Sequence, residues 1–348
     1  MGKINFSRLN PLYQQDLYNI ANSVSISLLH GKSIAVTGCS GLLGTLLVDS
    51  LMWLNEHENA NITVYALGRN TSKIEEQFSC FLESPLFKIT EYNLNCRFPA
   101  IEANYIFHCA GNSHPALFNS DPVGTLMGNI IGTYNVLDFA KTHDTKVLIL
   151  SSGEVYGENR NLGGGMAENF LGQISLESFR SCYPEGKRAV EALCQSFIYQ
   201  HGVDIKIARP CRIFGPTMSN EDNKASAQFL KKAKKGEPLI LKSIGNQQFS
   251  YIYGADAVSA LFKIILDGET GEAYNISNKE CDIRLKDFAK IIAEKAQVEI
   301  LFDCTGEAGG SLVTNAILDN SKLRELGWNP LVNIDEAITR TLEIMEKI

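Results

Sequence analysis

Tyr183 and Lys187 stand four residues apart in the stretch Arg180 to Cys194, RSCYPEGKRAVEALC. On a helix that spacing puts both side chains over one face, within reach of a single site. A phenol with an ordinary pKa of about 10 is a poor base at neutral pH. A neighbouring ammonium favours the phenolate and makes it a usable proton acceptor. Upstream, S-S-G-E-V-Y-G at 151 to 157 adds Ser152, a hydroxyl suited to hydrogen-bond a substrate oxygen, and Glu154, a carboxylate able to carry a proton. Y-x-x-x-K alone recurs by chance, and a lone serine before a glycine is a turn residue; the elements that must position these groups make them informative.

Ser33-Ile34-Ala35-Val36-Thr37 reads as a short buried strand, followed by Gly38-Cys39-Ser40-Gly41-Leu42-Leu43-Gly44 and a helical pattern from Thr45 to Leu54. Strand, glycine turn and helix in that order suit a dinucleotide. Gly38 permits the tight bend, Gly41 lets backbone approach a pyrophosphate, and Gly44 lets helix and strand pack closely. Free N–H groups at the helix start then face the phosphates. Gly38, Ser40, Gly41, Leu42, Leu43 and Gly44 are therefore candidate cofactor contacts. The next strand, Ile62 to Leu67, should end at the adenosine ribose, where an acidic residue favours NAD. Here the chain reads Gly68-Arg69-Asn70. Arg69 could meet a 2′-phosphate, stack on adenine or stand in a surface loop, which leaves NAD and NADP both open.

Asn104 to Gly111 supplies a further strand and turn, with His108 read as a packing residue at its apolar end and His114, in the following loop, open between packing and catalysis. Asn129 to Leu137 reads as a helix, and Lys146 to Leu150 as the strand that delivers Ser151 and Ser152. Such crossovers bring strand ends together along the edge where open α/β sheets bind ligands.

At 348 residues, 45% hydrophobic and 20% charged, the chain can bury a large core as one α/β domain or two joined lobes. A net charge of -7 and pI near 5.5 disfavour nucleic-acid binding. The one dense basic run, Lys231 to Lys235, reads as the solvated face of a helix ending at Gly236. Nine scattered cysteines without C-x-x-C pairs suit a reducing cytoplasm and offer no zinc spacing. Neither a secretory leader nor a membrane span is expected. Residues 1 to about 30 form an extension in which Leu12, Leu17, Ile20, Val24 and Leu28 could pack one helix face on the main body.

Taken together, T-G-x-x-G-x-x-G at 37 to 44, H-C-A-G at 108 to 111, N-x-x-G-T at 129 to 133, S-S-G-E-V-Y-G and Y-x-x-x-K resemble the extended short-chain dehydrogenase/reductases, the NAD-dependent sugar-nucleotide epimerase/dehydratase family. The likeness runs on through Ala208-Arg209, Phe214-Gly215-Pro216 and Tyr274-Asn275-Ile276, and is nearest in motif to UDP-glucuronate decarboxylases and dTDP-glucose 4,6-dehydratases. It implies a Rossmann-type doubly wound parallel sheet over residues 31–209, with the chain returning to it around 250–270. The smaller substrate lobe would occupy mainly 210–348. It also implies that Ala110, Gly111, Asn129, Tyr183 and Lys187 meet the cofactor and that Arg180, Ser152, Glu154 and Arg212 meet a nucleotide sugar. Oxidation at sugar C4, with Tyr183 as base, would open the reaction. A homodimer follows from the same likeness.

Three positions depart from the implied pattern. The acid that precedes the glutamate in dTDP-glucose dehydratases is Gly153 here. The arginine seven residues before Asp256 in the decarboxylases is Phe249, and the asparagine three before Gly215 is Arg212. A phenyl ring cannot replace a bidentate cationic fork. Arg212 either takes over a substrate phosphate or carboxylate, or pairs with an acid such as Glu154. These departures favour an epimerase or dehydratase-type enzyme of polysaccharide precursor synthesis. A UDP-glucuronate decarboxylase-like enzyme and a net 4-keto reductase or dehydrogenase are the alternatives. A cofactor-sensing regulatory protein, the alternative outside enzymes, would be expected to lose part of the Tyr, Lys and Ser set, which is intact here.

Overall fold

The computed structural model describes residues 6–113, 115–159, 164–304 and 314–345. His114 lies outside them. Seven strands form one parallel sheet: β1 (Ser33–Thr37), β2 (Thr63–Gly68), β3 (Phe87–Glu91), β4 (Tyr105–His108), β5 (Lys146–Leu150), β6 (Ile205–Pro210) and β10 (Ala273–Ile276), in the order β10-β6-β5-β4-β1-β2-β3. The apolar runs of β1, β4 and β5 are buried because both faces of the sheet are covered. Alternate residues divide between two cores. Ile34, Val36, Phe107 and Leu148 join the cluster under helices Leu42–Glu58 and Gly254–Asp267. Ala35, Ile106, Val147 and Ile149 join the one under helices Pro122–Ala140 and Cys182–His201. Strand order reverses beside β1, between β2 and β4, which opens a crevice at the carboxyl ends of the strands.

The remaining strands, β7 (Arg212–Phe214), β8 (Leu239–Leu241), β9 (Gln248–Tyr253), β11 (Asp282–Arg284), β12 (Ile300–Phe302) and β13 (Asn315–Ala316), build two small sheets that wall the far side of this crevice. After β9 the helix Gly254–Asp267 packs back on β5 and β6.

Several elements differ from the sequence expectation. The helix expected from Asn129 begins at Pro122, because Asp121 accepts from Gly124 N at 2.8 Å and proline suits the first turn. The helix expected from Thr45 begins inside the glycine turn, at Leu42. The lysine run is not simply solvated. Lys231 donates to the Asn220 and Asp222 carbonyls and Lys234 to that of Leu342 at 2.6 Å, since long stems reach carbonyls at loop and helix ends. Gly236, at φ +72°, does follow the helix end.

The early helix, Pro11–Asn22, buries Leu17 and Ile20, while Leu28 remains exposed. Two buried carboxylates anchor it. Asp49 accepts from Tyr13 Oη at 2.5 Å and from Arg8 Nε at 2.9 Å. Asp16 accepts from Tyr253 Oη at 2.5 Å and from Arg340 Nη1 at 3.0 Å. Burial pushes the Asp16 carboxyl up to about 7 despite these donors.

Candidate active site

The glycine turn after β1 is shaped by close backbone approach. Gly38 has φ +67°, and a Cβ there would lie 2.9 Å from Ala110 Cα. A Cβ on Gly44 would lie 2.2 Å from the Gly38 carbonyl oxygen, so only glycine lets the helix start pack on the turn. Gly41 caps the helix with no side-chain hydrogen bond, which leaves the first N–H groups free for an anion. Ser40, Gly41, Leu42, Leu43, Ala110 and Gly111 line a cleft of about 1750 Å³ that runs from this turn to β7 and β9.

Asn129 and Lys187 lie beneath that wall. A Cβ on Gly111 would come 2.8 Å from Asn129 Oδ1 and 3.6 Å from Lys187 Nζ. Lys187 Nζ donates to the Leu150 carbonyl at 2.7 Å, fixing the ammonium at the end of β5. Asn129 Nδ2 donates to Thr125 O, while its buried Oδ1 has no partner. These features fit a dinucleotide: free amides and bare glycines where phosphates would sit, and an unsatisfied acceptor with a cation at the far end.

Tyr183 and Ser152 are brought together as expected. Both line the cleft, and the Tyr183 ring stacks on Phe118 with centroids 4.8 Å apart. Lys187 Nζ is 5.9 Å from the Tyr183 ring centroid. Burial raises the phenol well above its ordinary range, the Glu154 charge raises it further, and the neighbouring Ser152 hydroxyl opposes both. Burial brings the Lys187 ammonium down to about 8. His108, which shares a 2.9 Å hydrogen bond with Thr37, is pushed down to about 3 by burial and by the Lys187 charge, and is the neutral packing residue its strand position suggests.

Glu154 is exposed on the cleft wall, where its N–H donates to Ser152 Oγ at 3.2 Å. Arg180 lines the same cleft. A Cβ at Gly153 would press on Leu318 Cδ1 at 3.0 Å, so an acid here would need Leu318 to give way. Arg212 does not pair with Glu154. Its guanidinium lies over the Phe249 ring, 3.4 Å from the centroid, because β7 and β9 are paired in parallel with Arg212 opposite Tyr251. Among the described residues it has no carboxylate partner. Arg69 stands exposed at the opposite end of the cleft.

Two supports were missed from sequence. Phe118 carries no motif. Glu191, four residues after Lys187 on the same helix, accepts from Ser151 Oγ at 2.5 Å and from Arg209 Nε and Nη2 at 2.9 and 2.6 Å. This bracket holds the strand end that presents Ser152, and its i+4 spacing was the available signal. Among the described residues no cluster of three or more His, Cys, Asp or Glu could hold a metal, and no helix is long and apolar enough to cross a membrane. All nine cysteines are free.

Comparison with known proteins agrees with this geometry. The sequence pattern of the NAD dependent epimerase/dehydratase family matches residues 34–277. UDP-glucuronic acid decarboxylase 6 of Arabidopsis thaliana is 31% identical over 309 residues, 88% of this chain and 86% of that protein. Two solved structures share the fold. UDP-glucose 4-epimerase of Thermotoga maritima, with UDP-glucose, has a TM-score of 0.75 and 23% identity over 90% of this chain and 98% of its own. UDP-glucuronic acid 4-epimerase of Bacillus cereus, in complex with UDP-glucuronic acid and NAD, has 0.74 and 20% over 90% and 98%. With the family's pattern spanning the glycine turn, Ser152, Tyr183 and Lys187, this chain belongs to the NAD-dependent epimerase/dehydratase family.

Proposed function

We propose that the chain is an NAD(P)-dependent nucleotide-sugar epimerase/dehydratase-type enzyme that first oxidises its sugar at C4, acting in polysaccharide precursor synthesis. Residues 31–209 would hold the cofactor and mainly 210–348 the substrate. The observation that carries the reading is Tyr183 and Ser152 together on the cleft wall, with Lys187 beneath them and the glycine turn at the neighbouring strand end.

Gly38, Ser40, Gly41, Leu42, Leu43 and Gly44 would take the pyrophosphate, with Ala110, Gly111 and Asn129 further along. A bound nicotinamide supplies a hydride acceptor and, when oxidised, a positive charge beside the phenol. Tyr183 takes the hydroxyl proton, and the Lys187 ammonium stabilises the phenolate that accepts it. Ser152 donates to the same oxygen and fixes the attack geometry. Glu154, exposed on the cleft wall, is the group placed to move a second proton. Arg180 and Arg212 would hold the anionic part of the substrate. Arg212, half-buried and without a carboxylate partner, gains from any anion it meets. Arg212→Ala is expected to weaken nucleotide-sugar affinity about 10-fold or more without loss of folding. Unchanged affinity would remove Arg212 from the site.

Incubation with UDP-, dTDP-, GDP- and CDP-sugars, read by mass spectrometry with chromatographic separation of isomers, tests the whole reading. An isomer of equal mass marks an epimerase and loss of water a dehydratase. Loss of carbon dioxide would select the UDP-glucuronate decarboxylase-like reading, which the Arabidopsis relative favours and the phenyl ring at 249 opposes. Consumption of reduced cofactor would select a net reductase. No product from any sugar would overturn the proposal.

A homodimer is the proposed assembly. Val123, Met127 and Tyr134 on one helix and Tyr199 on its neighbour leave apolar surface exposed on the paired helices Pro122–Ala140 and Cys182–His201. Nine free thiols support a cytoplasmic setting.

A further inference from the structure

The adenosine end of the cleft is formed by Leu67, Gly68, Arg69 and Lys73 after β2 and by Tyr92, Asn93, Leu94 and Asn95 after β3. A ribose with both hydroxyls free is normally held here by a carboxylate at the end of the second strand. Here Gly68 fills that position, and the space in front of it is taken. A Cβ on Gly68 would meet Ile74 Cδ1 at 3.0 Å, so Ile74, buried from the helix Thr71–Gln77, stands where an acidic side chain would reach. No acidic residue of either segment lines this end.

What lines it is cationic. Arg69 is exposed and Lys73 half-buried; neither has a carboxylate partner among the described residues. The two are four residues apart, and Asn70 between them fixes the turn by accepting from Lys73 N at 2.9 Å. A planar guanidinium and a flexible ammonium flanking a site with no acid suit a phosphate dianion. They give nothing comparable to a neutral 2′-hydroxyl.

We infer that this end of the cleft receives a 2′-phosphate, so that the chain binds NADP(H) more tightly than NAD(H), with Arg69 and Lys73 as the residues that set the preference. The inference rests on reading the cleft as a dinucleotide site, and the family's usual cofactor is the form against which it is measured.

Calorimetric titration of the full chain with NAD+ and with NADP+ tests it, with no need for turnover. The expected result is NADP+ binding at least tenfold tighter at low salt, a preference that shrinks as salt rises because it is electrostatic. In Arg69→Ala the ratio of the two affinities is expected to fall about tenfold, and in Lys73→Ala by a smaller factor. Equal binding, or tighter binding of NAD+, overturns the inference and leaves the dinucleotide site standing. A wild-type preference that survives both substitutions overturns the assignment to these residues. Binding of neither dinucleotide overturns the inference together with the reading beneath it.

Discussion

Tyr183→Phe is expected to lower turnover of the nucleotide sugar about 10²- to 10⁴-fold, the range for losing a positioned general base. The fold should survive, because the ring keeps its stack on Phe118 and only the hydroxyl is removed. Dinucleotide affinity should hold, so steady-state rates with a parallel binding titration separate a lost proton acceptor from a lost site. A variant retaining a tenth of wild-type turnover would remove Tyr183 from the proposed role. The pH profile adds a check on its surroundings. The Glu154 charge holds the phenol up, so removing that charge favours the phenolate. In Glu154→Gln the acidic limb of kcat/KM should therefore move to lower pH, whatever its height. A limb that stays or moves upward would mean the titrating group is not Tyr183.

Lys187→Met should show activity and stability moving in opposite directions. Loss of the charge that stabilises the phenolate should cost about 10²-fold or more in rate. Stability at pH 7 should rise. Lys187 titrates at about 8 in the folded protein against an ordinary 10.5. Between those values the unfolded chain holds a proton that the folded chain does not, so wild-type stability climbs with pH across this window. Below it both states are protonated and the penalty for burying the ammonium is complete, about 3 kcal/mol at ~1.4 kcal/mol per pH unit. The lost bond to Leu150 O offsets about 1 kcal/mol of the gain. Chemical denaturation should thus find the variant about 1–2 kcal/mol more stable at pH 7, with the difference closing as pH rises from 8 toward 10.5. A variant less stable than wild type at pH 7 would contradict the burial penalty.

The sheet and its glycine turn could be read from the chain because their causes are local. Apolar runs, three spaced glycines and a helix start sit within a dozen residues, and Tyr183 and Lys187 share one helix. The boundary at Pro122 is legible too, through Asp121 as cap, although the apolar pattern is clearest from Asn129 onward. Other features depend on contacts far apart in sequence. Arg212 lies on Phe249 because two short strands pair, and no local signal separates that from an ion pair with Glu154. Residue 68 lacks an acid in the sequence, but only the packing shows Ile74 standing in its place. The early segment reads as an extension because the partners of its Asp16, Tyr253 and Arg340, are 237 and 324 residues away.

That last separation also orders assembly in time. Asp16 leaves the ribosome hundreds of residues before Arg340, and domains form from the amino end during synthesis. The early helix can meet Asp49 through Tyr13 and Arg8 soon after Leu42–Glu58 emerges, but the second carboxylate waits. Until Tyr253 and Arg340 arrive, Asp16 keeps its water or its proton. The docking of Ile334–Ile344 beside the early helix is therefore a closing step of maturation. A nascent chain halted before residue 334 should expose the early helix to protease while the glycine turn is already in place.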